Sequence, residues 1–118
     1  MRLKLFESEL KVMEVLWREG AVTAKRVVEA LEKQVGWNKN TTYTVIKKCV
    51  DKGAIAREEP GFVCRPLITQ EEVRRQETDA LIDRLFDGSK ELFFASLTGE
   101  KLTKSEADAL RRLVERLK

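Results

Sequence analysis

Residues 37–65 read WNKNTTYTVIKKCVDKGAIAREEPGFVCR, and this stretch decides the fold. Trp37-Asn38 opens a helix with Asn38 as N-cap, because an Asn side chain accepts from backbone N–H groups that a helix start leaves unpaired. Lys52-Gly53 closes it. Val45, Ile46, Cys49 and Val50, with Thr42 one turn earlier, fall on one stripe at helical spacing. The other face carries Asn40, Thr41, Tyr43, Thr44, Lys47, Lys48 and Asp51. Ala54–Glu59 and Phe62–Arg65 are short alternating runs around Pro60-Gly61, the pattern of a β-hairpin, and Pro66 ends it.

Upstream, Leu10, Met13, Val15, Leu16 and Trp17 recur at helical spacing between Glu7 and Glu19, and Gly20 stops that helix. Glu7 and Glu9 stand at its start, where the helix dipole favours acidic groups. Ala21-Val22-Thr23 is a short extended link. Thr23 suits the N-cap of a second helix from Ala24 to about Gln34, with Val27, Val28 and Leu31 inward and Gly36 as breaker. Helix, short strand, helix, helix, hairpin is the order of a winged helix-turn-helix. The fold class expected is therefore mainly α with a small β-hairpin.

From Thr69 the character changes. Thr69 with Glu71 and Glu72 starts a long polar helix to about Phe86, ended by Asp87-Gly88. A short helix over 90–97 has an apolar middle, Leu92-Phe93-Phe94. Thr103-Lys104-Ser105-Glu106 is a capping box ahead of a last helix, whose Ala107, Leu110, Leu113, Val114 and Leu117 share one face. These stripes exceed what a thin three-helix domain can cover, and such an arm usually finds its core in a second copy of itself. A helical hairpin folded back on the same chain is the other reading. The expected division is a DNA-binding domain over 1–68 and a helical dimerisation domain over 69–118. Its dimer contacts would be Leu81, Leu85, Leu92, Phe93, Phe94, Leu97, Leu110, Leu113, Val114 and Leu117.

Composition narrows the function. The 118 residues are 36% charged and 42% hydrophobic, ordinary for a soluble helical protein. No apolar run reaches the roughly 18 to 20 residues of a membrane span, and the first residues do not form a signal peptide, so a cytoplasmic location without membrane insertion is expected. Net charge is +3, with an excess of four positive charges in residues 1–68 and of one negative charge beyond. That asymmetry is only weakly informative about nucleic acid. There is no histidine, which removes the commonest general base and metal ligand. Cys49 and Cys64 form no C-x-x-C pair and read as small buried apolar groups. No metal and no cofactor are expected. Glu58-Glu59 lies in a turn and Glu71-Glu72 at a helix start, where solvation and capping account for them, so the chain is not expected to be an enzyme.

A B-form major groove admits one helix with one buried face and one face of hydrogen-bonding side chains flanked by cations. The third helix has that layout. Asn40, Thr41 and Thr44 are short enough for base edges or nearby phosphates. Tyr43 offers a ring and a hydroxyl, Lys39 and Lys47 suit phosphates, and Asn38 marks the N-terminus, where N–H groups favour an anion. Arg57 is the wing's candidate contact, with Arg65 beside it. The partners expected are operator DNA and a second copy of the chain. Two other readings stay open. One is a winged-helix module that binds protein, which would need an acidic or apolar exposed face on the third helix. The other is a regulator with a small apolar effector among Trp17, Leu92, Phe93 and Phe94.

The chain resembles the penicillinase-repressor family of bacterial regulators, over nearly its whole length. Glu9–Trp17 is similar to the family's first-helix signature, and Trp37–Val45 to its turn and recognition helix. Lys52-Gly53-Ala54-Ile55 is similar to the segment that leads into the wing, and Asp87-Gly88-Ser89 to the one before the short apolar helix. The resemblance implies a homodimeric repressor on a dyad-symmetric operator. Release from DNA would follow from cleavage in the dimerisation domain after a membrane sensor protease is activated, or from metal in a copper-responsive branch. This chain departs from that pattern in three places. The apolar helix has no Asn-Phe bond, no cysteine follows Cys64 to make a C-x-C pair, and the wing carries Glu58-Glu59.

Overall fold

The computed structural model describes residues 3–98 and 103–116. The element order is α1 (Glu7–Glu19), β1 (Val22–Thr23), α2 (Ala24–Val35), α3 (Lys39–Asp51), β2 (Ile55–Glu58), β3 (Val63–Pro66), α4 (Gln70–Phe86), α5 (Lys90–Thr98) and α6 (Lys104–Arg116).

Local chemistry sets the boundaries. The Thr23 hydroxyl accepts the Arg26 N–H at 3.1 Å to start α2, and the Asn38 side-chain Oδ1 accepts the Thr41 N–H at 2.8 Å to start α3. Gly36 ends α2 in the left-handed region, φ 72°, where a side chain would be strained. Its N–H reaches Glu32 O at 3.1 Å, and Trp37 N reaches back to Leu31 O at 3.4 Å. Thr69 and Glu72 cap α4 reciprocally, as Thr103 and Glu106 cap α6.

The chain divides into two compact units, one up to Arg74 and one from Arg75. In the first, α1, α2 and α3 bury Val12, Met13, Leu16, Val27, Leu31, Val45, Ile46 and Cys49 in one core, closed by Ile55 and Cys64 of the sheet. The change of composition at Thr69 precedes this division because Val73, one turn into α4, is buried in the first core. In the second unit Ile82 is buried, and the Phe93 ring meets Phe86 edge-on at 5.5 Å and Phe94 at 5.5 Å.

The sheet has one strand more than the hairpin. The link Ala21–Thr23 supplies β1, and the order is β1-β3-β2, all antiparallel. Val22 pairs with Cys64 and Thr23 with Val63, while Glu58 pairs with Val63 and Ile55 with Pro66. Pro66 thus closes β3 as its last residue, where the missing N–H costs no central ladder bond.

Candidate nucleic-acid interface

Helix α3 is anchored by one face. Thr42, Val45, Ile46 and Cys49 are buried, and on the far side Lys39, Asn40, Thr41, Thr44 and Lys47 are all exposed. The side chains of Asn40, Thr41 and Lys47 make no bond to another described residue, so their polar groups are free for a ligand. Thr44 is different. Its hydroxyl donates to Asn40 O at 2.9 Å, so in this rotamer it can only accept from outside. Asn38 spends its side-chain oxygen on the cap, leaving the amide NH₂ as its outward group.

Tyr43 departs from its expected place on the outer face. It is half-buried, because the wing folds over it: the Phe62 ring lies 5.8 Å from the Tyr43 ring, centroid to centroid. Lys39 Nζ sits 5.9 Å from the centre of the Tyr43 ring. Half-burial of the ring leaves only part of Tyr43 for any outside contact.

The wing cations are already engaged. Arg57 Nε donates to Glu59 Oε1 at 2.8 Å, and its guanidinium stacks on Phe62 at 3.7 Å. Arg65 Nε lies 3.2 Å from Glu58 Oε2. Glu59 also accepts the Phe62 N–H at 3.2 Å. The Arg57 bond first, then that N–H, holds the Glu59 carboxyl below the usual range. The acidic pair Glu58-Glu59 therefore neutralises much of the wing's own arginine charge, and each arginine is engaged through Nε, which leaves the terminal nitrogens of Arg57 and Arg65 without a bond to the described residues.

Two interactions carry no motif in the sequence. Trp17 Nε1 donates to Ile68 O at 2.9 Å, tying the end of α1 to the segment before α4. Glu9 stands in the first turn of α1, as the sequence places it, but it is also buried, 1% exposed, and paired with Lys52 at 2.6 Å. Its spacing was the available signal: Val12, Met13 and Leu16 follow at three, four and seven residues, the pattern of a shared helix face.

Of the residues expected at a dimer contact, Leu85 and Leu92 are 62% and 57% exposed. Leu81, Phe93, Phe94 and Leu97 are half-buried. The side chains of Leu110, Leu113 and Val114 on α6, and Leu117 entirely, lie outside the described residues. Cys49 and Cys64 are both buried and free, and burial pushes their thiols up to about 12 and about 11. Among the described residues no three His, Cys, Asp or Glu side chains gather to hold a metal, and no helix is long and apolar enough to cross a membrane.

The three-helix core, the three-stranded sheet and the exposed polar row on α3 form a winged helix. A family model described as the penicillinase repressor matches residues 5–116. The chain belongs to the penicillinase repressor family. That family is one of regulators, in line with the expectation that the chain is not an enzyme. The penicillinase repressor of Bacillus licheniformis is 24% identical over 115 residues, 95% of this chain and 90% of that one. An uncharacterized 16.5 kDa protein from the ptsI 3′ region of Latilactobacillus sakei is 27% identical over 106 residues, 88% of this chain and 72% of that one.

Solved structures agree with the fold. The DNA-binding domain of the repressor BlaI in solution superposes with a TM-score of 0.55 at 28% identity, covering 59% of this chain and 88% of that domain. The monomeric form of Bacillus licheniformis BlaI in complex with the blaP half-operator gives 0.52 at 27% identity, covering 60% of this chain and 90% of that one.

Proposed function

We propose that this family member is a transcriptional repressor that binds a dyad-symmetric operator as a homodimer, with residues 1–68 on the DNA and residues 69–118 joining the two copies. The observation that carries the reading is the exposed row Lys39, Asn40, Thr41, Thr44 and Lys47 on a helix whose opposite face is buried, in a fold shared with a BlaI form bound to a half-operator. Asn40 and Thr41 supply free donors and acceptors for base edges, and Thr44 an acceptor. Lys39 and Lys47 supply cations for phosphates, and α3 supplies the N–H groups of its first turn behind Asn38. An exposed face of this chemistry disfavours a protein-binding module, which would present acidic or apolar groups.

The wing adds little charge, since its arginines are paired with its glutamates. It acts by holding Tyr43 and by steric fit to the backbone, with the terminal nitrogens of Arg57 and Arg65 as its cationic contacts. Dimerisation rests on the exposed Leu85 and Leu92 together with the apolar stripe of α6, and two half-sites a whole number of helical turns apart are then read together. Release by a membrane sensor protease would have to use a bond other than Asn-Phe, and release by copper would have to use ligands other than a C-x-C pair.

The test is fluorescence anisotropy of the full chain with a duplex from just upstream of its own gene, beside a scrambled duplex, at two salt concentrations. Preference for the native duplex by several kcal/mol with steep salt dependence is expected. Weak binding that ignores sequence would refute sequence-specific repression at that locus and return the protein-binding module to first place.

A further inference from the structure

Lys52 caps the C-terminal end of α3, at the other end of the helix from Lys39. At 1.5 Å per residue the two ends lie roughly 20 Å apart, more than the reach of one side chain. The Lys52 ammonium is fully occupied. It donates to Glu9 Oε1 at 2.6 Å and to Lys4 O at 2.8 Å, and it lies 4.3 Å from the centre of the Phe6 ring. Three N–H bonds thus have a carboxylate, a carbonyl and a ring face for partners.

Glu9 holds the other side of this arrangement. Its Oε1 also accepts the Phe6 N–H at 2.7 Å, and its backbone carbonyl faces Cys49 Sγ of α3 at 4.0 Å. One residue of α1 therefore grips the last turn of α3 by side chain and by backbone. Burial pushes the Glu9 carboxyl up, but the Lys52 bond, the Phe6 N–H and the charges of Lys52 and Lys48 outweigh it and hold the carboxyl below the usual range. A carboxylate taken out of water without its cation is strongly unfavourable, so the buried Glu9 constrains where Lys52 can sit.

We propose that Glu9 and Lys52 are positioning residues for operator recognition: their ion pair, buried on the Glu9 side and partly covered by the segment Leu3–Phe6, fixes the angle at which α3 presents its exposed row. The proposal rests on the reading that α3 enters the DNA groove. It assigns a role in DNA affinity to two side chains that do not touch DNA.

The experiment uses the full chain and the same pair of duplexes, upstream and scrambled, with thermal unfolding run on every variant. Lys52→Met strands the Glu9 charge, and it is expected to cut the preference for the upstream duplex by roughly tenfold in protein that is still folded. The double variant E9Q/K52M removes both charges and is expected to recover most of that preference, because a buried pair can be replaced by neutral groups of similar shape. Three results would overturn the proposal. A lower melting temperature with unchanged preference would make the pair merely stabilising. Equal loss on both duplexes, a salt slope reduced by about one and no recovery in the double variant would make Lys52 a direct phosphate contact. Should Lys52→Met fail to fold, Glu9→Gln decides: reduced preference at unchanged salt slope supports the proposal, and full preference overturns it. The reading of α3 is judged separately, by Lys47→Ala and Thr41→Ala. If those variants act and the Glu9 and Lys52 variants do not, the proposal fails alone; if the unmodified chain shows no preference, both fail.

Discussion

Phe62 joins the wing to α3, and its replacement separates two effects of opposite sign. Its ring meets Tyr43 at 5.8 Å and carries the Arg57 guanidinium at 3.7 Å, while the residue itself sits at φ 49°, in the left-handed region. Phe62→Ala loses the aromatic pair, about 0.5–1.5 kcal/mol, and an exposed cation–π contact, about 0.5–1 kcal/mol. It also loses about half the burial of a Phe side chain, ~1 kcal/mol. These terms overlap because they share one ring, so a loss of about 2 kcal/mol is expected. The backbone bonds of the residue, Phe62 N–H to Glu59 at 3.2 Å and Ala24 N–H to Phe62 O at 2.9 Å, survive. Phe62→Gly loses the same contacts but also the left-handed penalty, about 1–2 kcal/mol for a residue with a side chain. Glycine's greater freedom in the unfolded chain takes back about 0.4–1 kcal/mol. The glycine variant should therefore be the more stable of the two by about 0.5–1 kcal/mol, against the usual ranking. Urea denaturation of the three proteins, with equal m-values, measures both differences. Phe62→Ala as stable as the parent would remove the ring from the wing's attachment, and Phe62→Gly less stable than Phe62→Ala would refute the backbone argument.

Other expectations concern DNA, assembly and pH. Lys47→Ala should weaken binding to all duplexes alike and reduce the salt slope by about one; an unchanged slope places Lys47 off the phosphates. Thr41→Ala should lower discrimination between operator and scrambled DNA by about 1–3 kcal/mol, and equal loss on both would limit Thr41 to backbone contact. Leu85→Asp with Leu92→Asp should shift sedimentation from dimer to monomer, since burying two unpaired carboxylates is costly; a dimer that persists would move the interface away from these residues. The Glu9 carboxyl is held below its ordinary value of 4.5, so the pair's contribution is complete above pH 4.5 and is lost as pH falls through the lower folded-state value. Glu9→Gln should flatten that part of the stability profile, and an acid limb of unchanged steepness would mean that Glu9 does not drive it.

The helices of the first unit were legible because their signals are local. Apolar spacing marked the buried stripe of α3, and Thr23, Gly36 and Asn38 marked ends that depend on one side chain or one backbone angle. The exposed polar row followed from the same spacing. Tyr43 was misplaced because its burial depends on Phe62, which reaches it only after the hairpin folds back. The short strand at Ala21–Thr23 is legible as an extended segment, but its place beside β3 is not, since two residues carry no alternation and their partners lie far along the chain. Glu9 was visible by its spacing and obscured by its charge, which argues for solvent until a buried cation is found for it. The exposure of Leu85 is a tertiary fact that no periodicity in the strongly polar α4 announces.

The pairing of Val22 with Cys64 has a kinetic side. It closes a loop of roughly 40 residues, an entropic cost of about 3 kcal/mol that is met before the short strand returns two residue pairs. The contacts of α2 with α1 and with α3 close smaller loops, and those of α1 with α3, though of similar span, are repaid by a larger apolar core. Folding should therefore assemble the helices first and stitch the wing on last. By the same reasoning the wing is the part whose amides exchange with solvent earliest, through openings that leave the helical core intact. A wing so attached can yield to the local width of the DNA at small cost in stability, while the helix that reads sequence stays fixed.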